Sequence, residues 1–484
     1  MSLIPALSSG DATIFIGGAW STAASSFERF DPAELSRSTG TFAAARPEDV
    51  RAAYDAAAAA QPAWAATPAP QRGELLRRAA ALLEQRLEEA TRRLTADMGK
   101  ARRDARGEVQ RSVAILRYFA GELLQPNGEV YPSAADDTFL FTVEQPLGVV
   151  CAITPWNFPF AIPTWKLAPA LGFGNAVVWK PAEPASGSAV LLTEVLAEAG
   201  LPPGVLNLVT GRGRELSGAL TDDPRLAALT FTGSGGVGTR LRQAVADRNV
   251  KVQLELGGKN PAVVLADAEL RDAAVQVVRG AMFATGQRCT ATSRVYVDRS
   301  VAAEFRELVV AEVAALVIGD PNDEATDVGP LASAEQRDTI ARYLQLARDE
   351  GATVVAGGDA DPEHCFVAPT VLTGVGAESA LVREEIFGPV LVLTEVDGFE
   401  AAIAAANDTE FGLSSAVFTR DLGTALAFVR RSEAGMVHVN RETAGVEPHI
   451  PFGGVKGSSS MHREQGKAAR HFFTTTKTAY LRTP

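Results

Sequence analysis

A cysteine and a glutamate, each in a glycine-containing bend, are the residues of this sequence best suited to chemistry. Cys289 follows Gly286-Gln-Arg, and Glu255 begins the segment Glu255-Leu-Gly-Gly-Lys259. A cysteine attacks as its thiolate, which a positive or partly exposed setting favours, so the adjacent Arg288 is a candidate for that role. A thiol and a carboxylate together predict covalent catalysis followed by base-assisted release of the product.

Such a pair can oxidise an aldehyde. A free aldehyde is a poor hydride donor, and addition of a thiolate makes its carbon tetrahedral and places negative charge on its oxygen. Hydride can then leave for a nicotinamide ring, and a base-activated water releases the acid from the remaining thioester. The oxyanion donor is expected to be Asn157, whose amide donates hydrogen bonds without changing charge. A structural Asx turn is the competing explanation for Asn157.

A glycine-rich turn matches the fingerprint of dinucleotide-binding proteins. Gly233-Ser-Gly-Gly-Val-Gly238 follows an apolar strand and opens a helix, which is the context that the fingerprint requires. Glycines let the backbone approach phosphate, and the N-terminus of the helix favours an anion. An ordinary tight turn is the alternative, and the context favours phosphate binding.

A carboxylate that binds the cofactor ribose is expected about 20 residues after such a turn. Glu255 lies near that position, but assigning it to the ribose leaves Cys289 without a base. A better candidate is Glu183, which follows Lys180 at the end of a predicted strand, where side chains face a ligand crevice. A carboxylate there accepts hydrogen bonds from a 2′-hydroxyl and repels a 2′-phosphate, which favours NAD over NADP. A surface ion pair is the alternative explanation.

Strand-like and helix-like runs alternate along most of the chain, which predicts an α/β protein with two α/β domains and a cleft between them. The predicted strands are 148–154, 176–180, 205–209, 227–232 and 252–256 in a first set, and 262–266, 293–297, 390–394, 415–418 and 436–439 in a second. Residues 138–144 and 472–481 are expected to pair as a small antiparallel extension. Leucine spacing predicts a single helix over residues 72–98.

The composition excludes several classes of protein. The 484 residues carry 46 Lys and Arg against 58 Asp and Glu, and the formal charge of −12 argues against nucleic-acid or anionic-membrane partners. Cys151, Cys289 and Cys365 are too few and too far apart for a disulfide framework or a zinc site, so we expect no metal. Residues 1–10 lack the features of a secretory signal, and no apolar run approaches the length of a membrane helix. We therefore expect a cytoplasmic protein.

Seven motifs occur along the chain in a fixed order. They are Pro155-Trp-Asn-Phe-Pro159, Lys180-Pro-Ala-Glu183, Phe231-Thr-Gly-Ser234, Glu255-Leu-Gly-Gly-Lys259, Gly286-Gln-Arg-Cys289, Glu385-Ile-Phe-Gly-Pro389 and Pro451-Phe-Gly-Gly454. In their order and approximate spacing they resemble the aldehyde dehydrogenase superfamily, over nearly the whole length of the chain. A single motif of this kind arises by chance, but the ordered set is highly specific.

The resemblance implies a reaction and an architecture. Cys289 would be the nucleophile and Glu255 the general base, with Asn157 and the Cys289 backbone N–H as oxyanion donors. The fold would comprise a Rossmann-like cofactor domain, a catalytic domain and a β-extension that builds homodimers or homotetramers. The implied ranges are 1–126 and 147–254 for the cofactor domain, with 457–471 packing back on it, 255–456 for the catalytic domain, and 127–146 and 472–484 for the extension.

The resemblance also implies where NAD binds. Lys180 and Glu183 would bind the adenosine ribose, Ser234 the pyrophosphate, and Glu385 the nicotinamide ribose, with Phe387 beside the ring. The further cofactor residues that it implies are Ile153, Thr154, Trp156, Gly213, Phe231, Gly233, Val237 and Leu256.

Two positions depart from the family's pattern. Many members have asparagine four or five residues before the cysteine, where this chain has Ala284 and Thr285. Met461 stands where a glycine is expected. We expect the first departure to have little effect on the chemistry and the second to bear on loop conformation only.

The segment 445–460, followed by residues 463–466, resembles the 2-oxoglutarate semialdehyde (2,5-dioxopentanoate) dehydrogenase branch. A carboxylated substrate needs a cation in the tunnel, for which Arg288, Arg441 and His449 are candidates. Trp165 stands where an arginine is expected in the succinic semialdehyde branch. The substrate residues that follow from the resemblance are Phe158, Trp165, Arg288, Thr290, Arg441, His449 and Phe452. Because three of these make an aromatic wall, an aryl or aliphatic aldehyde is the alternative substrate.

Two other functions compete with a hydrolytic aldehyde dehydrogenase. An acylating enzyme would pass the thioester to coenzyme A, but thiolysis does not need a water-activating base such as Glu255. A catalytically silent protein with the same fold is disfavoured because the cysteine, glutamate and asparagine are all present.

Overall fold

The computed structural model describes residue 7 and residues 10–482. Within them the chain forms strands β1 Ile14–Ile16, β2 Ala19–Ser21, β3 Ser26–Asp31, β4 Glu34–Ala43, β5 Val130–Tyr131, β6 Thr138–Pro146, β7 Val149–Thr154, β8 Ala176–Pro181, β9 Leu206–Leu208, β10 Leu226–Thr232, β11 Lys251–Glu255, β12 Asn260–Val264, β13 Thr292–Asp298, β14 Thr353–Ala356, β15 Thr370–Thr373, β16 Val390–Val396, β17 Ser414–Phe418, β18 Met436–Val439 and β19 Thr474–Arg482. The other residues of the 1–10 segment, for which no secretory signal is expected, and residues 483 and 484 of the predicted extension lie outside the described residues.

The helices alternate with these strands. They are α1 Pro47–Ala66, α2 Ala69–Gln85, α3 Leu87–Met98, α4 Arg102–Glu122, α5 Ala161–Gly172, α6 Ser186–Glu198, α7 Gly213–Asp222, α8 Gly235–Ala244, α9 Leu270–Met282, α10 Ala302–Ala314, α11 Ala334–Asp349, α12 Ala380–Arg383, α13 Gly398–Asn407, α14 Leu422–Arg431 and α15 Ala468–Phe473. No helix in the described part of the chain is both long and apolar enough to cross a membrane.

Two seven-stranded sheets form the framework of the molecule. The first has the order β11-β10-β7-β8-β9-β1-β2, in which β7 to β11 run parallel. The second has the order β14-β15-β16-β13-β12-β17-β18, with only β14 antiparallel to its neighbour. The α/β fold with two parallel sheets is thereby confirmed, and every predicted strand is present within a few residues of its expected bounds.

Side chains alternate across the first sheet, which explains why its strands read as continuous apolar runs. In β7, Val150 and Ala152 enter a core with α2 to α6, whereas Val149 and Cys151 enter a core with α1 and α7. Successive residues of a strand point to opposite faces, so both faces must be apolar when helices cover both. The strand ends are the exception, and the candidate site residues lie there.

The extension pairs as expected, in a separate three-stranded sheet of the order β19-β6-β5. β6 and β19 are antiparallel, with Thr138 opposite Arg482 and Pro146 opposite Thr474. The predicted boundary at 254/255 falls at the end of β11, between the two large sheets, and the division into three domains stays a prediction.

The single helix expected over residues 72–98 is wrong. The chain forms α2 and α3 instead, and the break is at Arg86, whose φ of −92° and ψ of 18° lie outside helical values. The side chain of Arg86 pairs with Glu89 and Glu194, on α3 and α6. Leucine periodicity continues through the bend, so the pattern alone did not reveal it.

Candidate active site

The carboxyl ends of four neighbouring strands of the first sheet bring the predicted residues to one edge. Asn157 follows β7, Lys180 lies near the end of β8, Ser234 follows β10 and Glu255 ends β11. Parallel strands end at the same edge of a sheet, which is where α/β proteins bind ligands. The edge therefore forms a crevice that faces the second sheet.

The glycine-rich turn leads into α8 as the fingerprint requires. Ser234 immediately precedes the helix, and a Cβ added to Gly235 would meet no heavy atom within 4 Å. At Gly238 a Cβ would lie 2.6 Å from the side chain of Leu256 and 3.3 Å from the ring of Phe231. The glycines thus leave the first turn open and let α8 pack closely, and the helix N-terminus can hold a pyrophosphate.

Lys180 and Glu183 lie beside this turn. Burial lowers the pKa of Lys180 to about 8, and its ammonium makes no hydrogen bond to any residue of the described chain. The carboxylate of Glu183 is 3.7 Å from Arg212, and Gly213 begins α7 next to Lys180. A buried donor without a partner fits the hydroxyls of a ribose, so these residues fit the adenosine end of a dinucleotide.

The opposite end of the crevice holds Glu385. Its Oε1 accepts a hydrogen bond of 3.0 Å from the Gly258 backbone N–H, and burial raises its pKa to about 7. A Cβ added to Gly257 would lie 2.2 Å from this carboxylate, so only glycine fits there. Trp156 and Phe387 meet edge to face, with ring centroids 5.4 Å apart. This end fits a second ribose and a flat ring.

The remaining predicted cofactor residues lie on the same edge. Thr154 ends β7 and accepts a hydrogen bond of 2.9 Å from the Trp179 indole. Ile153 precedes it and is partly buried, as is Val237 in the first turn of α8. Gly233 donates its N–H to the carbonyl of Glu255 over 3.0 Å, which ties the glycine-rich turn to the end of β11.

Cys289 sits in the turn between α9 and β13, after an unusual run of backbone. Ala284, Thr285 and Gly286 all adopt positive φ, at 52°, 57° and 64°. Beyond them, the Asn260 side chain donates 2.8 Å hydrogen bonds to the carbonyls of Cys289 and Ala291. The thiol is therefore carried by a turn that is fixed on both sides.

Electrostatics around the thiol oppose its ionisation. Burial raises the pKa of Cys289, and the charges of Glu385 and Glu255 raise it further. The guanidinium of Arg288 lies 3.7 Å from Asp104 and 3.7 Å from Glu442. That Arg288 helps the thiolate stays a prediction.

Asn157 is buried next to this turn. The side-chain amide of Asn157 donates one hydrogen over 3.0 Å to the backbone carbonyl of Gln287, two residues before the cysteine. The backbone carbonyl of Asn157 accepts a hydrogen bond from Lys100 over 2.7 Å. The second amide hydrogen remains for an oxyanion. This arrangement fits an oxyanion donor better than the Asx turn that the sequence left open, because the side chain bonds a distant segment.

Glu255 is only 2% exposed. Its Oε2 accepts a 2.6 Å hydrogen bond from the Ser459 hydroxyl, whereas its Oε1 has no partner within the described structure. Burial raises its pKa well above the ordinary value, and the charge of Glu464 adds to that effect. A carboxyl with a raised pKa and a free oxygen can take a proton from water.

Two buried charges that the sequence reasoning missed lie behind Glu255. Lys166, on α5, forms an ion pair with Glu464 and donates a 2.8 Å hydrogen bond to Thr230. Both charged side chains are almost fully buried. The available signal was a lysine within the otherwise apolar sequence of α5, because a buried charge needs a partner.

A cavity of about 230 Å³ opens in front of Cys289. Phe158, Trp165, Arg288, Thr290 and Phe452 line it, and the rings of Trp165 and Phe452 are 5.3 Å apart. The other two predicted substrate residues are not among its lining residues. The side chains of Arg441 and His449 are exposed, and His449 lies 3.9 Å from Glu447. Of the three cations predicted for a carboxylated substrate, Arg288 alone is among the lining residues of this cavity.

Neither departure from the family's pattern disrupts the site. The backbone at Ala284 and Thr285 is left-handed, a conformation that asparagine tolerates well and alanine poorly. The consequence of having alanine here is therefore local backbone strain. Met461 is 96% exposed and lies outside the left-handed region, so its position does not require glycine. Among the described residues no group of three His, Cys, Asp or Glu side chains is placed to bind a metal.

Known proteins match this chain over nearly its full length. The sequence profile of the aldehyde dehydrogenase family matches residues 20–479. An alpha-ketoglutaric semialdehyde dehydrogenase of Bacillus subtilis (strain 168) is 43% identical over 97% of this chain and 97% of that protein. An alpha-ketoglutarate semialdehyde dehydrogenase of Haloferax volcanii is 42% identical over 96% of this chain and 98% of that protein.

Solved structures agree with the sequence matches. The crystal structure of an NAD-dependent aldehyde dehydrogenase from Sinorhizobium meliloti superposes with a TM-score of 0.95 at 34% identity, covering 100% of this chain and 98% of that one. The profile and the relatives give the family, and the solved structure, described as NAD-dependent, shares the fold of this chain. The chain therefore belongs to the aldehyde dehydrogenase family and is an oxidoreductase that oxidises aldehydes with a nicotinamide dinucleotide.

Proposed function

We propose that Cys289 attacks the aldehyde carbon and that Glu255 activates the water that releases the acid. The observation that carries the proposal is electrostatic: the carboxylates of Glu255 and Glu385 both lie close enough to raise the pKa of the thiol. The candidate base and the nicotinamide end of the crevice are thus within electrostatic reach of the candidate nucleophile, which also lines the substrate cavity.

The thiol must lose its proton before it attacks. A neutral thiol is the resting form, since burial and two carboxylates oppose the thiolate. Glu255 can accept that proton directly or through a water, because its own pKa is raised. The sulfur then bonds to the carbonyl carbon, and the C=O π electrons move to oxygen. Asn157 and the Cys289 backbone N–H donate hydrogen bonds to the oxyanion.

Lys180, Glu183, Ser234 and Glu385 would hold the dinucleotide. When bound, NAD accepts the hydride that leaves the tetrahedral carbon. Phe387 and Trp156, whose rings are in contact, would lie beside the flat ring, and the open first turn of α8 would receive the pyrophosphate. Glu183 favours NAD because a carboxylate repels a 2′-phosphate.

Glu255 then acts on the thioester that remains on Cys289. Once the proton taken from the thiol has passed to solvent, the free Oε1 of Glu255 removes a proton from water. The water oxygen attacks the thioester carbon, and the C–S bond breaks to release the acid and the Cys289 thiolate. The Ser459 hydroxyl holds the other oxygen of the carboxylate in place. A base at this position is not needed for transfer of the acyl group to coenzyme A, so we propose a hydrolytic enzyme.

We propose 2-oxoglutarate semialdehyde as the substrate. The proposal is supported by the two relatives named for that activity and by the resemblance of the C-terminal segment. Trp165 and Phe452 give the cavity an aromatic wall, which makes an aryl or aliphatic aldehyde the second candidate. The mechanism would be the same for both.

The function is tested by following NADH at 340 nm with semialdehydes, aryl aldehydes and alkanals. We expect 2-oxoglutarate semialdehyde to give the highest kcat/KM and to yield the free acid without coenzyme A. Cys289→Ala should abolish turnover while it still binds NAD. A strict requirement for coenzyme A would establish the acylating alternative. Wild-type protein that oxidises no aldehyde would establish a silent binding protein.

We also propose a homodimer or homotetramer in the cytoplasm. The small sheet of β5, β6 and β19 exposes several apolar side chains, which a partner subunit would cover. The free thiols of Cys151, Cys289 and Cys365 suit a reducing compartment. Light scattering tests the assembly, and fractionation of cells followed by immunodetection tests the location.

A further inference from the structure

The substrate cavity contains a guanidinium that nothing in the protein neutralises by contact. Arg111 lines the cavity from α4 and is partly buried. It makes no hydrogen bond or salt bridge to any residue in the described ranges, and no ring stacks on it. An arginine keeps its charge at any ordinary pH, so its desolvation must be offset by a ligand or by solvent.

The other cations around the cavity are engaged. Lys100 pairs with Glu108 over 2.5 Å, Arg103 pairs with Asp327 over 2.8 Å, and Arg288 lies between two carboxylates. Glu108 is not free to turn to Arg111, because its Oε1 accepts the Phe160 and Ala161 backbone N–H groups. The Nε of Arg288 is buried without a hydrogen-bond partner, but among the described cations that line the cavity Arg111 alone has no carboxylate within salt-bridge distance.

The helix that carries Arg111 leaves space in front of it. Asp104, Gly107, Glu108 and Arg111 recur at three- and four-residue spacing, so they share the face of α4 that lines the cavity. A Cβ at Gly107 would meet no heavy atom within 4 Å. Cys289 lines the same cavity, so a substrate can have one end at the thiol and the other at the guanidinium.

We propose that Arg111 binds the carboxylate of an ω-oxo acid whose aldehyde carbon is attacked by Cys289, and so determines the preference for carboxylated aldehydes. This inference rests on the proposed function. A guanidinium can form two parallel hydrogen bonds with a carboxylate, which fixes the far end of a flexible chain. The assignment replaces Arg441 and His449, whose side chains are exposed and outside the cavity lining.

The rival within the cavity is Arg288, which is next to the nucleophile in sequence. Its charge already faces Asp104 and Glu442, so a substrate carboxylate would compete with two fixed ones. Burial lowers the pKa of Arg111 and the charge of Arg288 lowers it further, whereas the more distant carboxylates of Glu108, Glu447 and Glu442 act in the opposite direction without contacting it. An anion beside Arg111 therefore also relieves the repulsion between the two cations.

The test compares Arg111→Met, Arg111→Lys, Arg288→Met and Arg103→Met with wild type, using succinic semialdehyde, 2-oxoglutarate semialdehyde and pentanal. The measured quantity is the ratio of kcat/KM for each carboxylated aldehyde to that for pentanal. In Arg111→Met we expect this ratio to fall about 30- to 100-fold, mainly through KM. Arg111→Lys should recover part of it, and Arg103→Met should keep the wild-type ratio.

A binding measurement separates this inference from the proposed function. Glutarate, which has no aldehyde, should slow alkylation of Cys289 by iodoacetamide in wild type and lose most of this protection in Arg111→Met. An unchanged ratio and unchanged protection in Arg111→Met overturn the inference, as does a collapse seen only in Arg288→Met. Those results leave aldehyde oxidation intact, whereas pentanal turnover that survives in Cys289→Ala overturns the proposed function itself.

Discussion

Glu255 has the environment of a base that works near neutral pH. Its carboxyl is buried, one of its oxygens accepts from Ser459, and burial and Glu464 raise its pKa. We expect Glu255→Gln to slow steady-state acid release by about 10²-fold or more, because general bases contribute rate factors of that order. The first-turnover burst of NADH should be affected less. Stopped-flow absorbance measures both phases, and an unchanged steady-state rate would remove Glu255 as the base.

The negative charge of Glu464 raises the pKa of Glu255. Replacement by glutamine removes a negative neighbour and leaves the Lys166 ammonium unpaired, and both changes lower the pKa of Glu255. A base is active when deprotonated, so its activity is lost as pH falls through its pKa. We therefore expect the acidic limb of the kcat profile of Glu464→Gln to move to lower pH. If the acidic limb of the pH profile stays at the same pH and only the maximal kcat changes, Glu464 has a structural role only.

We expect cofactor choice to depend on the charges at the end of β8. Lys180 and Arg212 both lie near Glu183, so removing that carboxylate leaves two cations to attract a 2′-phosphate. We expect Glu183→Ala to shift the ratio of kcat/KM for NADP over NAD upward by about tenfold or more. Glu215→Ala, which removes another carboxylate near Arg212, is the matched control. Equal shifts in both variants, or none, would contradict the assignment.

Among the elements, the regular strands could be predicted from the sequence, whereas the break between two consecutive helices could not. The parallel strands bury both faces, so their residues form apolar runs that stand out from the helices, as in β7 and β8. The break at Arg86 has no such signal, because it depends on ion pairs with Glu89 and Glu194, and one of these is distant in the chain.

The same limit applies to the candidate site. The crevice residues were predictable because each belongs to a short motif, at the end of a strand for Asn157 and Glu255 and in the turn before β13 for Cys289, and the structure brings these three residues to one region. Lys166 and Arg111 belong to no motif. What distinguishes them is the presence or absence of a partner, Glu464 for the first and none in the described chain for the second. Pairing is a property of the folded chain, so the sequence alone could not reveal it.

The turn before Cys289 carries strain that an alanine cannot avoid. Ala284 has a φ of 52°, and an L-residue other than glycine is disfavoured there by about 1 kcal/mol. We expect Ala284→Gly to raise the thermal midpoint, since the relief of strain is of order 1 kcal/mol and only partly offset by chain entropy. Ala274→Gly, within α9, should lower it by a comparable amount. Calorimetry at a fixed scan rate measures the thermal midpoints of both variants and of wild type. A midpoint of Ala284→Gly below that of wild type would contradict the claim that Ala284 is strained.

At the scale of the whole molecule, the small sheet exposes apolar side chains that the described chain does not cover. Phe139 and Leu481 are opposite one another on β6 and β19, and they are 52% and 54% exposed. A three-stranded sheet has little core of its own, so exposed apolar residues on it favour contact with another subunit. The edge strand β5 adds Val130, which is 68% exposed.

This sheet should therefore control the size of the assembly. We expect the double variant Phe139→Asp and Leu481→Asp to shift the protein to a smaller species, because two buried, unpaired carboxylates would oppose any contact there. Thr478→Asp, on the exposed part of β19, should have a much smaller effect. Light scattering coupled to size-exclusion chromatography gives the masses. If the double variant keeps the wild-type mass while far-UV circular dichroism shows an intact fold, subunits must associate through another surface, and the exposed apolar residues of β6 and β19 need a different explanation.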